Sequence, residues 1–190
     1  MFDLESAASG MAAVVAGISD DQLTAPTPMA DTTVRDLLVH VVGLTEAFRQ
    51  GATKESIGRS VAPAIGPDAE LVADWRDRVP AQLKALVEAW RDPAAWEGET
   101  EAGTVVMPAE FMATVALDEL VIHAWDLAQA TGQHVTVRDA DLDTLLEFLR
   151  DTPPEGTPGL FGPVVPIAGD APAFHRVLAL TGRDPSQSPS

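Results

Sequence analysis

The run Ala116-Leu-Asp-Glu119-Leu-Val-Ile-His123-Ala-Trp-Asp126-Leu-Ala128 is apolar except at Asp118, Glu119, His123 and Asp126. A helix that is apolar nearly all round is a central one, surrounded by the rest of its fold. Glu119 and His123 stand four residues apart, one helical turn, so their side chains point the same way. A carboxylate and an imidazole on a buried stripe cost free energy unless something pairs with them. A divalent metal ion with a third ligand from another helix is one candidate partner.

The run extends to a whole helix. Pro108 opens it and Gly132 stops it after Thr131, following the usual Pro-in, Gly-out asymmetry. At about 100° per residue, Thr114, Asp118, Trp125 and Gln129 share one narrow strip, which is the expected exposed side. Glu119 and His123 fall away from it with Met112, Ala116 and Ala130, and Asp126 lies between the two regions. The angle therefore favours an inward Glu–His pair over the surface i,i+4 pair that the spacing also allows.

Outward from there, Phe2 to Ile18 reads as a first helix rich in Ala, and Ser19 to Asp31, with Pro26 and Pro28, as a loop. Thr33 and Asp36 form a Ser/Thr-x-x-Asp/Glu box just ahead of Val34, Leu37, Leu38, Val41, Leu44 and Phe48, which recur at helical spacing. This second helix carries His40 beside Leu44 and Ala47, at the border of its apolar stripe. From there His40 reaches a neighbouring helix or the bundle mouth, and the spacing does not choose between them. A lone His at such a border is more often a hydrogen-bonded core residue than a ligand.

Gly51 to Gly66 reads as a loop. Pro67 opens a third helix that Leu71, Trp75, Val79, Leu83, Leu86, Val87 and Trp90 carry to Arg91, with Pro80 expected to kink or split it. Asp92 to Ala102 is turn-like, and Thr104 to Met107 is an isolated strand or extended connector. A fifth helix spans Ala140 to Leu149. Asp151 to Gly169 holds too many Pro and Gly for regular structure, and Asp170 is the expected N-cap of a last short helix from Ala171 to Leu180, ended by Gly182. The expected architecture is an all-α bundle of four long helices with short C-terminal additions. Residues 1–184 form a single domain and 185–190 a disordered tail.

The chain has 190 residues, enough for a real core, and no apolar run of the roughly 18 residues that a bilayer span requires. No basic stretch followed by an apolar core opens it, so no signal peptide is expected. It contains no Cys, which excludes disulfides, thiolate ligands and a cysteine nucleophile, and which fits a cytoplasmic protein. A net charge of −17 repels phosphate backbones, so nucleic acid is not an expected partner. No Gly-x-Ser-x-Gly elbow, Gly-rich phosphate loop, Rossmann pattern or His-Glu-x-x-His helix is present. His134 and His175 read as solvated. The acidic pairs Asp20-Asp21 and Asp139, Asp141 and Asp143 read as caps and solvated charge.

Two motifs resemble a known family. Thr33-Val-Arg-Asp-Leu-Leu-Val-His40-Val-Val-Gly43 and Glu119-Leu-Val-Ile-His123-Ala-Trp-Asp126-Leu-Ala-Gln-Ala-Thr-Gly132 are similar to the second-helix and fourth-helix motifs of the mycothiol-dependent maleylpyruvate isomerase N-terminal-like family, within the DinB-like superfamily of metalloenzymes. The ending Ala171-Pro-Ala-Phe-His-Arg-Val-Leu-Ala-Leu-Thr-Gly-Arg-Asp-Pro185 resembles a mostly actinobacterial branch of it. The resemblance implies an up-down-down-up four-helix bundle. It implies a divalent metal, zinc or nickel, held by His40, Glu119 and His123, with Asp126 orienting a ligand or a pocket water. It further implies a thiol cofactor such as mycothiol and a small electrophilic substrate, hence a thiol-dependent transferase or isomerase. A non-catalytic metal- or ligand-binding bundle is the rival, and a bundle in which the three residues only hydrogen-bond one another is the blandest reading.

Two departures qualify it. Relatives commonly show a Pro-Cys-x-Gly-Trp-like stretch before the second helix, where this chain has Pro28-Met29-Ala30-Asp31-Thr32. The second, C-terminal domain of the full isomerases is also expected to be missing, so maleylpyruvate isomerisation itself is not expected. A homodimer is expected through Ala-rich and Trp-containing faces of the first and third helices.

Overall fold

The computed structural model describes residues 1–157 and 160–186. They divide into two compact units, residues 1–135 and a second unit from Thr136; the sequence treats 1–184 as one domain. Of the tail expected from Pro185, residues 187–190 lie outside the described residues.

The first unit is built on four helices: α1 (Glu5–Ala16), α2 (Val34–Thr53), α3 (Trp75–Trp90) and α4 (Ala109–Thr131). Their directions follow from contacts at their ends. Arg91, just past α3, pairs with Asp3 and Glu5 at the start of α1, while Arg76 at the start of α3 donates to the Ile18 carbonyl beyond the end of α1; α1 and α3 are antiparallel. Gln133, past α4, donates to the Val14 carbonyl near the end of α1, so these two are parallel. The Trp90 indole at the end of α3 donates to the Phe48 carbonyl late in α2, so α2 and α3 are parallel as well. The result is the expected up-down-down-up bundle, with Met11, Leu37, Leu38, Leu44, Leu83, Leu86, Leu117 and Leu120 among its fully buried side chains.

The helix ends follow local chemistry. Thr33 and Asp36 make the expected reciprocal capping box on α2, satisfying two backbone N–H groups that a helix start would otherwise leave unpaired. Gly132 ends α4 as expected, and the Gln133 N–H closes back on the Ala128 carbonyl in the Schellman pattern. The third helix begins at Trp75, well after Pro67, and runs through Pro80 without splitting. Pro80 sits in the second turn on a half-exposed position, where it removes only the bond to the Arg76 carbonyl.

Three expectations fail on tertiary grounds. Asp118 and Trp125, placed on the exposed strip of α4, are buried; a helix apolar all round is covered all round. Trp75 and Trp90 of α3 are core residues, with the Arg76 guanidinium stacked 3.9 Å from the Trp75 ring centroid, so they offer no aromatic face to a partner. The expected connector is one half of a hairpin, β1 (Glu99–Ala102) paired antiparallel with β2 (Val105–Pro108). Its two-residue turn, Gly103 and Thr104, has positive φ at both positions, 57° and 73°, as a type I′ turn requires.

In the second unit α5 (Asp139–Leu149) packs against α6 (Ala173–Leu180). Asp141 is buried and paired with Arg138 at 2.7 Å, where solvated charge was expected. Pro172, not Asp170, occupies the N-cap of α6. Gly182 ends it as expected, with the Arg183 N–H returning to the Leu178 carbonyl. Among the described residues no helix is long and apolar enough to cross a membrane.

Thr104 is the weak point of the hairpin, because a β-branched residue is disfavoured at positive φ. Its N–H bond to Ser60 Oγ at 2.8 Å is a backbone contact that a glycine keeps. Thr104→Gly is therefore expected to raise unfolding free energy by about 0.5–1 kcal/mol in a denaturant titration.

Candidate metal centre

His40 rises from the second turn of α2, while Glu119 and His123 sit one turn apart on α4. The capping box sets where α2 starts and so where His40 stands along it. One ligating atom from each of the three lies within 4.8 Å of the other two. Glu119 Oε2 is 2.8 Å from His123 Nε2 and 3.7 Å from His40 Nε2. The two imidazole rings meet edge to face, with centroids 5.2 Å apart. His40, for which the spacing left two destinations, thus turns toward α4.

Glu119 Oε2 ion-pairs with the His123 imidazole at 2.8 Å, while the buried His40 Nδ1 has no hydrogen-bond partner. Buried polar atoms without partners are uncommon and call for an explanation. Ligands about 2.0–2.2 Å from a tetrahedral zinc stand about 3.3–3.6 Å from one another. The contacts of Glu119 Oε2 with the two imidazoles bracket that spacing, so the donor set fits a divalent cation: two imidazoles and a carboxylate, with no thiolate.

His123 is buried, and its Nδ1 lies 3.1 Å from the fully buried carboxylate of Asp126. With Nδ1–H directed at that carboxylate, Nε2 is the nitrogen turned toward Glu119 and His40. A carboxylate behind a ligating imidazole is the usual way its tautomer and ring orientation are fixed. Asp126 stands one turn beyond His123 on α4.

Charge coupling sets the protonation of the cluster. Burial pushes the His123 imidazole down, but the Glu119 charge and the Asp126 hydrogen bond outweigh it and raise its pKa to about 9. Burial pushes Glu119 up, and the neighbouring His123 charge overcomes that to hold it well below the usual carboxylate range. Without a metal, a proton supplies the positive charge between the two carboxylates.

The other histidines stay apart: His134 and His175 are exposed, as expected. The stretch Pro28-Met29-Ala30-Asp31 is the tip of a closed loop, tied by the Thr27 N–H to the Thr32 carbonyl at 2.9 Å, and Asp31 takes positive φ. A buried Glu101 on β1 was not singled out at all from the sequence, where it sits in a polar stretch with no helical or motif spacing.

Comparison with known proteins agrees with this architecture. The family described as "Mycothiol maleylpyruvate isomerase N-terminal domain" matches residues 4–128, which include all three clustered residues and Asp126. The chain belongs to this family. Two uncharacterized proteins of Mycobacterium tuberculosis, from strains CDC 1551 / Oshkosh and ATCC 25618 / H37Rv, are each 30% identical to it over 171 residues, covering 88% of this chain and 85% of theirs. The crystal structure of a mycothiol-dependent maleylpyruvate isomerase superposes with a TM-score of 0.58 at 20% identity over 76% of this chain, and a mutant of that enzyme with 0.57 at 19% over 75%. The mycothiol maleylpyruvate isomerase fold is thereby shared, although the chain spans only 65% of the solved isomerase's length.

A raised folded-state pKa carries a definite pH signature. Because His123 titrates near 9 when folded and near 6.5 when unfolded, its contribution to stability is complete below about pH 6.5 and is lost as the pH rises through about 9. Metal-free protein is therefore expected to lose unfolding free energy across that window. Asp126→Asn is expected to lower the His123 pKa, read from its ring proton shifts by NMR, and to shrink the loss.

Proposed function

We propose that His40, Glu119 and His123 hold a divalent cation, zinc or nickel, and that the protein is a thiol-dependent transferase or isomerase acting on a small electrophile. The observation that carries the metal is the cluster itself: three ligands of two types, two imidazoles and a carboxylate, brought from two helices to within 4.8 Å of one another. Membership of the mycothiol maleylpyruvate isomerase N-terminal domain family supports the thiol, and a Cys-free chain has to borrow one.

A divalent cation with three protein ligands and an open position lowers the pKa of a thiol or water bound there. The chain's residues supply the rest. Glu119 brings the negative charge that draws the cation in and is itself kept ionised by His123. Asp126 holds His123 so that Nε2 faces the site. The side chains of His40 and Glu119 keep about a fifth of their surface open, 19% and 24%, which leaves the cluster reachable by a small molecule while His123 and Asp126 behind it are closed to water. A single domain over 1–184, a cytoplasmic setting and a homodimer complete the proposal. A non-catalytic binder is the alternative; it uses the same site without turnover.

Elemental analysis of untagged protein checks the first half. Wild type is expected to carry near-stoichiometric metal, His123→Ala to carry none, and Asp126→Asn to bind about 10–100-fold more weakly. Metal-loaded wild type given mycothiol or another small thiol and a model electrophile is expected to turn over, and His123→Ala is not. Metal without turnover selects the binder, and a wild type that takes up neither zinc nor nickel on dialysis rejects the centre.

A further inference from the structure

Because α2 and α3 are parallel, the chain between them must travel back along the whole of α2, a 20-residue helix about 30 Å long. The connection, residues 54–74, is longer than the roughly 12–15 residues beyond which irregular loops are usually functional. Its course is set by a few contacts. Early on, Ser56 Oγ donates to the Glu101 carbonyl, and the Gly58 N–H and Ser60 Oγ both donate to the Glu101 carboxylate, the latter at 2.6 Å. Ser60 Oγ also accepts from the Thr104 N–H. Midway, Pro63 lies so close to α2 that a Cβ on Gly43 would come within 3.0 Å of Pro63 Cβ. Late in the segment, the Arg35 guanidinium donates to the Ala69 carbonyl at 2.6 Å.

Gly43 lies three residues after His40 and Arg35 five before it, at about 60° and 140° around the helix on the same side of His40. The stretch from Pro63 to Ala69 therefore passes the level of His40 along one flank of α2. Glu101 is buried within the hairpin, and the donors from Ser60 and Gly58 hold its carboxylate below the usual range.

We propose that Glu101 is a positioning residue: its carboxylate fastens the connection at Gly58 and Ser60 and thereby sets a wall that limits entry to His40. The inference deepens the metal-centre reading and rests on it for its meaning. Its test needs only the position of His40, so it can fail while the metal reading stands, or the reverse.

The test is diethyl pyrocarbonate acylation of metal-free protein at fixed pH, followed histidine by histidine by mass spectrometry. The exposed His134 and His175 serve as internal standards. Glu101→Ala is expected to speed acylation of His40 about 3–10-fold and release exchange of the Gly58 amide, with His134 and His175 unchanged. Glu101→Gln, which still accepts from one donor, is expected to fall between. Ser60→Ala is expected to give a smaller rise, again confined to His40. An unchanged His40 rate in Glu101→Ala overturns the proposal, whether or not the Gly58 amide is released. If backbone amides across the core helices exchange faster together with His40 acylation in Glu101→Ala, its loss is global, and the absence of a His40 rise without that core loosening in both Glu101→Gln and Ser60→Ala overturns the proposal in turn.

Discussion

Everything at the centre of the first unit follows from burying charge on α4. The helix is apolar all round and is covered accordingly, yet it carries Glu119, His123 and Asp126 in a row of turns. Moving an isolated charge into such surroundings is far more costly than any single packing contact repays. The cluster therefore exists only as a set. Asp126 supports His123 from behind, Glu119 faces His123 from the front, and His40 approaches from α2. With both imidazoles neutral the set carries two negative charges; one bound proton halves that, and a divalent cation would cancel it.

The same bundle geometry that brings His40 to α4 creates a second constraint. An up-down-down-up order puts α2 and α3 side by side in the same direction, so the chain cannot turn tightly between them. It must return along α2, and the hairpin between α3 and α4 gives it something to fasten to. Glu101 is buried because the connection crosses it, and the connection holds its course because Glu101 accepts from it. Pro63 can approach the helix because residue 43 has no side chain. Site and connection are thus two consequences of one topology.

What was legible in the sequence was what depends on spacing along one helix. The Thr33–Asp36 box, the stop at Gly132 and the i,i+4 relation of Glu119 to His123 are local, and each stands where the pattern put it. What was not legible depends on contacts between distant segments. His40 could face a helix or the mouth until α4 was placed beside it. Trp75 and Trp90 looked available to a partner until the core closed over them. The first strand of the hairpin was missed because Glu99-Thr-Glu-Ala102 has no β-prone character of its own. It is a strand because Val105 to Pro108 pairs with it, and the turn between them carries a Thr where a Gly or Asn would have announced it.

The blandest reading of the cluster is a buried hydrogen-bond network with no ligand, and the geometry bears on it directly. In such a network the unprotonated atoms of one side chain face the N–H groups of the next, and few buried atoms are left over. Here His40 Nε2 stands 3.7 Å from Glu119 Oε2, beyond hydrogen-bond reach, and its far nitrogen has no partner either. The His123 to Asp126 contact points away from the centre. The three side chains converge on one point from two helices, and only Glu119 and His123 are close enough to satisfy each other. Selection for stability alone favours replacing such a set with apolar side chains of similar volume. Its presence on an otherwise apolar helix supports a role for the point on which it converges.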